Sequence, residues 1–307
     1  MIQNKIQSKN NKAYFFLAPA LIIMLVGLFY PIGYSIYTSF FDWRLGMPLS
    51  DAKFTALDNY IWLLKDPDIL NAFWVTFKFS MIVVIIELVL GVALALLLDK
   101  KIKGISILRT IFIMPMMIAP IVVGLMWQYL YNAQFGIFNK MLVFLGLEPI
   151  GWLSSDKWAL FSVILSDIWQ WTPFIFILAI ASLQSLPQSM IEAARIDGAT
   201  EWQIIRFIKL PLMIPVIIIA GLLRLIDSLK VFEVIYIMTG GGPAGSTEVV
   251  SMAIYNQAFI DFELGRSAAL SNLFLGSLMI LSVIFFIIIK IRLHKKSARQ
   301  EIRHAAS

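Results

Sequence analysis

The sequence predicts an all-α membrane protein with six transmembrane helices, and three observations carry that prediction. Of 307 residues, 60% are hydrophobic and only 14% are charged, whereas a soluble domain carries about 25% charged residues. Apolar runs long enough to cross the hydrocarbon recur along the whole chain. Lys and Arg, finally, fall unevenly between alternate loops.

The spans read as residues 14–37, 72–98, 107–131, 158–181, 211–237 and 268–290, each long enough to cross a bilayer with some tilt. With the N-terminus inside, the inner segments hold Lys5, Lys9 and Lys12, then Lys100, Lys101, Lys103 and Arg109, then Arg195, Arg206 and Lys209, and six cations from Lys290 to Arg303, 16 in all. The outer segments hold six, namely Arg44, Lys53, Lys65, Lys140, Lys157 and Arg266. The asymmetry predicts that both termini are cytoplasmic. The first apolar stretch is too long for a cleaved signal peptide, and no small-residue cleavage site follows it. Trp43, Trp62 and Trp74 suit an interfacial aromatic belt in and beside a short outer loop, 38–71. The basic tail from Arg292 reads as an anchor on anionic lipid. The net charge of +6 belongs to span ends and is no signal for nucleic acid. There is no cysteine, and the two histidines, His294 and His304, both lie in the tail, which excludes thiol chemistry and a histidine metal site inside the membrane.

Several groups inside the spans are polar. Glu87 in the second span is a lone acid, either paired to a neighbouring helix or protonated, and takes no role beyond packing. Pro115 and Pro120 are expected to kink the third span, and Pro173 the fourth. The fourth span carries Asp167, Trp169, Trp171 and Thr172. Asp167 and Trp171 lie four apart on one face, an aromatic beside a polar acceptor, which suits a sugar; filling space between helices is the plainer alternative for the tryptophans. The fifth span carries Arg224, Asp227, Lys230 and Glu233, each costing about 2.5–3.5 kcal/mol to insert unpaired. Their signs alternate at steps of three, so they read either as a self-paired ladder along one helix or as part of a hydrophilic path or its gate. The run Gly240-Gly241-Gly242-Pro243 lacks the lysine of a phosphate loop and reads as a tight turn leaving the fifth span.

The loop between the fourth and fifth spans is the most informative segment. Ser185–Ser189 reads as a turn and helix start, Met190–Asp197 as a helix, Gly198 as a chain reversal, and Thr200–Lys209 as a second short helix before Pro211 opens the next span. Glu192-Ala193-Ala194, then Asp197-Gly198, then Ile208-Lys209-Leu210-Pro211 resemble the cytoplasmic EAA coupling loop of binding-protein-dependent ABC permeases of the maltose-type, carbohydrate-uptake class. Residues 54–60, 167–174 and 231–243 resemble further segments of that family, and the GGGP element with the basic tail resembles the first of its two permease subunits. The outer loop 38–71 lacks the large insertion of some maltose permeases, so no docking mode that depends on it carries over.

The resemblance implies a type I ABC importer transmembrane domain at 14–291, with a cytoplasmic N-terminal tail at 1–13, the coupling loop at about 185–211 and a cytoplasmic tail at 292–307. It implies a bacterial cytoplasmic-membrane permease that hydrolyses nothing itself. Its partners would be a second homologous permease, two copies of an ATPase that carries ATP and Mg, an extracytoplasmic solute-binding protein and membrane lipid. No nucleic acid, resident cofactor or metal is implied. Glu192, Ala193, Ala194, Asp197, Gly198, Ile208, Leu210 and Pro211 would couple to the ATPase. Asp167, Trp169, Trp171, Arg224, Asp227, Lys230 and Glu233 would line the path or its gate. The cargo would be an oligosaccharide or disaccharide, with a polyol or glycerol phosphate as the alternative in the same family. A secondary transporter or channel would not need the EAA loop, and a membrane enzyme would need reactive groups that the spans lack.

Overall fold

A computed structural model describes residues 2–99 and 104–305, with side chains described at 17–99, 104–285 and 287. The inner cations Lys5, Lys9, Lys12, Lys100, Lys101 and Lys103, both histidines and the tail cations from Lys290 lie outside the described side chains. In chain order the elements are α1 (Ile2–Thr38), β1 (Phe41–Asp42), β2 (Lys53–Phe54), α2 (Asp58–Lys65), α3 (Pro67–Leu97), α4 (Ile105–Ile113), α5 (Pro120–Leu130), α6 (Ile137–Phe144), α7 (Asp156–Gln184), α8 (Gln188–Ile196), α9 (Glu201–Ile204), α10 (Leu210–Leu229), α11 (Glu233–Met238), α12 (Val250–Phe259) and α13 (Leu264–Ala305). Among the described residues five helices are long and apolar enough to cross a membrane, or six when the bent pair formed by residues 105–117 and 120–130 counts as one span. The all-α expectation holds, with a single two-residue antiparallel ribbon besides.

Two expected helices differ in shape. The third span is broken, turning by 97° between Met117 and Pro120. A 3₁₀ turn, Met114–Met117, contains Pro115, and Pro120 opens α5. Both prolines lack the N–H that an uninterrupted helix requires. Pro173, by contrast, lies inside an unbroken α7. The fifth span ends early: α10 stops at Leu229, Lys230 caps it, and the non-helical φ of −143° at Phe232 precedes the new helix α11. At its other end this span starts earlier than expected. A π-helical turn, Ile205–Lys209, joins α9 to α10, so residues 201–229 form one helical rod rather than a separate short helix followed by a span.

The chain divides into two compact units. One comprises residues 1–66 and 254–279. Within it, the buried Asn59 amide donates to the Ser39 and Phe41 carbonyls at 2.8 and 3.0 Å, tying α2 to the ribbon. The Arg266 guanidinium lies 4.1 Å from the Trp62 ring centre, so this tryptophan stacks on a cation.

The other unit comprises residues 67–253 and 280–307. Helices α3 and α7 pack closely enough that a Cβ on Gly91 would fall 2.7 Å from Ile175 Cβ. Two apolar cores follow. One gathers Phe79, Val83, Val123, Trp127, Val163 and Ile235; the other gathers Val92, Ala95, Ile175, Phe176, Leu183 and Met213. On α3 the first core reaches Val84 and the second begins at Val92; on α7 they meet between Ile168 and Ile175. Glu87 on α3 and Gln170 and Thr172 on α7 fall in that gap.

Candidate functional site: a buried ionic cluster and a two-helix loop

Arg224 occupies the gap between the cores, with 2% of its side chain exposed. Its Nε donates to Glu87 Oε2 at 2.8 Å and its Nη2 to Glu87 Oε1 at 3.1 Å, a bidentate pair. Nη2 also donates to Asp167 Oδ2, and Nη1 to Asp227 Oδ2 at 3.3 Å. Three helices, α3, α7 and α10, thus meet on one guanidinium. The expected ladder along a single helix is corrected here. Only the Arg224–Asp227 step forms; Lys230 and Glu233 lie past the end of α10, both exposed, and join no pair with the cluster. Of the two readings offered for Glu87, the pair to a neighbouring helix is the one that forms, and its partner is Arg224; the role confined to packing is corrected, since Glu87 anchors the cluster.

Trp171 and Trp169 part company. The Arg224 guanidinium stands 5.2 Å from the Trp171 ring centre, so Trp171 joins the cluster through a cation–π contact. Trp169 packs edge-on against Trp127 at 5.8 Å and is part of the aromatic core margin. Asp167 is buried, while the Asp227 side chain is 51% exposed. The cluster therefore shows one carboxylate and part of one aromatic face to its open side, and hides the positive charge.

The loop after α7 forms two helices as its sequence suggests. α8 ends in a Schellman motif: Ala199 N–H donates to Ala194 O at 2.9 Å and Gly198 N–H to Arg195 O at 3.1 Å. Gly198 takes φ of +81°, which a Cβ resists. The next helix starts with a capping box, in which Gln203 N–H donates to Thr200 Oγ1 at 3.3 Å and Thr200 N–H to Gln203 Oε1 at 2.7 Å. Glu192, Ala193, Asp197 and Gly198 are exposed; Ala194, Ile208, Leu210 and Pro211 are half-buried. Ile191 and Ile204 turn inward, whereas Ile196 at 87%, Phe207 at 69% and Trp202 at 65% stay exposed. A cleft of about 360 Å³ runs between the two helices, walled by Asp197, Gly198, Gln203, Phe207 and Ile208. Lys209 Nζ meets Asp99 Oδ2 at 2.8 Å, both largely shielded, which links the loop to the end of α3.

A bundle of apolar helices holding a buried ionic cluster is the architecture of a membrane permease. Residues 87–299 match the family described as binding-protein-dependent transport system inner membrane component. The chain belongs to that family, as an ABC transporter permease. It is 39% identical over 267 residues to a probable ABC transporter permease protein of Sinorhizobium fredii, covering 87% of this chain and 86% of that one. It is 37% identical to the trehalose/maltose transport system permease protein of Thermococcus litoralis, covering 79% and 82%. A chain in the crystal structure of a bacterial alginate ABC transporter, in complex with an alginate pentasaccharide-bound periplasmic protein, shares the fold with a TM-score of 0.79 at 22% identity, covering 92% and 94%.

Proposed function

We propose that this chain carries a neutral sugar, a disaccharide or short oligosaccharide, across the cytoplasmic membrane as one of two permease subunits of an ATP-driven importer. The observation that carries the proposal is the α8–α9 loop, an ordered two-helix step on which three large apolar side chains, Ile196, Trp202 and Phe207, are left uncovered by the chain. Their place on a short polar loop, beside the exposed Glu192 and Asp197, suits a protein partner. ATP with Mg would be held and hydrolysed on a paired ATPase, whose closure would push on Glu192, Ala193, Ala194, Asp197 and Gly198. Ile208, Leu210 and Pro211 would pass the motion into the rod 201–229, and through Lys209–Asp99 into α3. The lysine and arginine asymmetry supports a cytoplasmic loop and cytoplasmic termini.

The trehalose/maltose relative supports sugar as cargo. The cluster agrees with that class. Arg224 is neutralised by buried carboxylates, so its region offers no net positive charge to a phosphate or uronate. Trp171 supplies a ring for sugar C–H faces and Asp227 an acceptor for hydroxyls. Lys230, Glu233 and Trp169 have weaker places in the path, since they lie apart from the cluster. The extracytoplasmic binding protein would deliver the sugar, and ATP-driven alternation of the spans would release it inward. The test is uptake of trehalose and maltose by the importer reconstituted with its binding protein. Trp171→Ala is expected to raise the half-saturating concentration while basal ATPase activity stays unchanged. Unchanged uptake kinetics would make Trp171 a packing residue.

A further inference from the structure

At the end of α7 remote from the coupling loop, a second cavity of about 410 Å³ opens between the end of α5, the turn that follows it, the segment before α7 and the end of α11. That volume lies within the range of about 300–1,000 Å³ typical of small-molecule sites. Its lining includes Gln128, Tyr129, Asn132, Trp152 and Ser154, and no lining residue carries a charge. The walls are fixed from beneath by one buried side chain. The Asn139 amide donates to Ala133 O at 3.2 Å and Ile150 O at 3.0 Å, and its Oδ1 accepts from Ile150 N at 3.0 Å and Trp152 Nε1 at 2.9 Å. The Trp152 ring is held further by Tyr131, 5.5 Å away centre to centre, and Phe138, 6.0 Å away.

Some of the hydrogen-bonding groups around this wall are unspent. The Asn132 carbonyl oxygen accepts from the N–H groups of Gln134 and Phe135, and its amide nitrogen has no partner among the described residues. The Gln128 amide nitrogen donates to Ile237 O at 2.9 Å, leaving its oxygen unbonded there. Ser154 and the Tyr129 hydroxyl make no hydrogen bond among the described residues, and the Tyr129 ring is 66% exposed. Aromatic faces, amides and hydroxyls without charge match a polyhydroxylated ligand. An ionic ligand would find nothing to compensate its charge.

We propose that this cavity is a second saccharide subsite, an entry site for an uncharged sugar at the outer mouth of the permease. The proposal rests on the importer reading, which puts this end outside and gives the sugar a direction. The test uses the intact importer complex in nanodiscs without its binding protein, and reads saturation-transfer NMR with trehalose, maltose and glucuronate as probes. Transfer is expected to at least one of the two disaccharides and not to glucuronate. Loss of both contacts in Tyr129→Ala/Ser154→Ala should weaken it by about tenfold or more. Neither side chain supports the fold by a hydrogen bond, and the comparison is made in a Trp171→Ala background so that the path beside Arg224 does not supply the signal. Absence of transfer in the wild type, equal transfer in the double variant, or preference for glucuronate would each overturn the proposal. So would unchanged transfer accompanied by weaker capture of the binding protein, because the cavity would then be a protein-docking face. Failure of the importer reading is distinguishable, since it appears as absence of ATP-dependent uptake by the wild-type complex, whatever the NMR reads.

Discussion

Arg224 is the residue on which the buried chemistry turns. Removing one partner of a buried ionic group strands the rest and costs about 3–5 kcal/mol, whereas replacing the whole group by neutral side chains of similar shape is often neutral. Arg224→Ala is therefore expected to lower the melting temperature of the detergent-solubilised protein sharply, because Glu87 and Asp167 lose their counter-ion. Glu87→Gln/Asp167→Asn/Arg224→Met should melt close to the wild type while failing to transport. An unchanged melting temperature in Arg224→Ala would refute the three-helix arrangement. The sequence disclosed these charges but not their pairing. Steps of three suggested neighbours along one helix, while Glu87 lies 137 residues from Arg224. Asp167 and Trp171, four apart, did reach the same guanidinium, because that spacing is local and helix geometry fixes it.

At the scale of elements, helices α3 and α7 form the spine of their unit, and Gly91 sets their separation. Gly91→Leu should force the pair apart and destabilise the protein by about 1–3 kcal/mol, measured as a loss of thermal stability with insertion retained. The coupling loop makes a different prediction. Glu192→Lys reverses a charge on an exposed face, and Gly198→Pro breaks a Schellman turn whose φ of +81° proline cannot adopt. Both variants should insert and assemble their spans yet abolish ATP-dependent uptake; wild-type uptake by both would remove the coupling role. The loop was legible almost residue by residue, since its capping and turn signals are local. The early end of α10 and the π turn before it were not. No proline or glycine marks Lys230–Phe232, and a π turn has no residue signature of its own. The break in the third span was legible through Pro115 and Pro120, though its 97° angle was not.

At the scale of the molecule, the six-span count was written in composition, and the family in the loop and its companion segments. The described spans leave much apolar surface uncovered, including the first, whose large apolar side chains from Leu21 to Phe29 stay exposed. Lipid and a second permease subunit are the coverings that the importer reading supplies. On the importer reading energy enters at the step between α8 and α9, and its occupant decides the account. The chain contains no cysteine, so Ile196→Cys, at a site 87% exposed, installs a single thiol on that step. Cross-linking from this thiol in native membranes, read by mass spectrometry of the adduct, is the most direct measurement. The account predicts an adduct to an ATPase subunit whose yield changes when ATP is added. Adducts to lipid alone, or to another copy of this chain with no response to ATP, would contradict it.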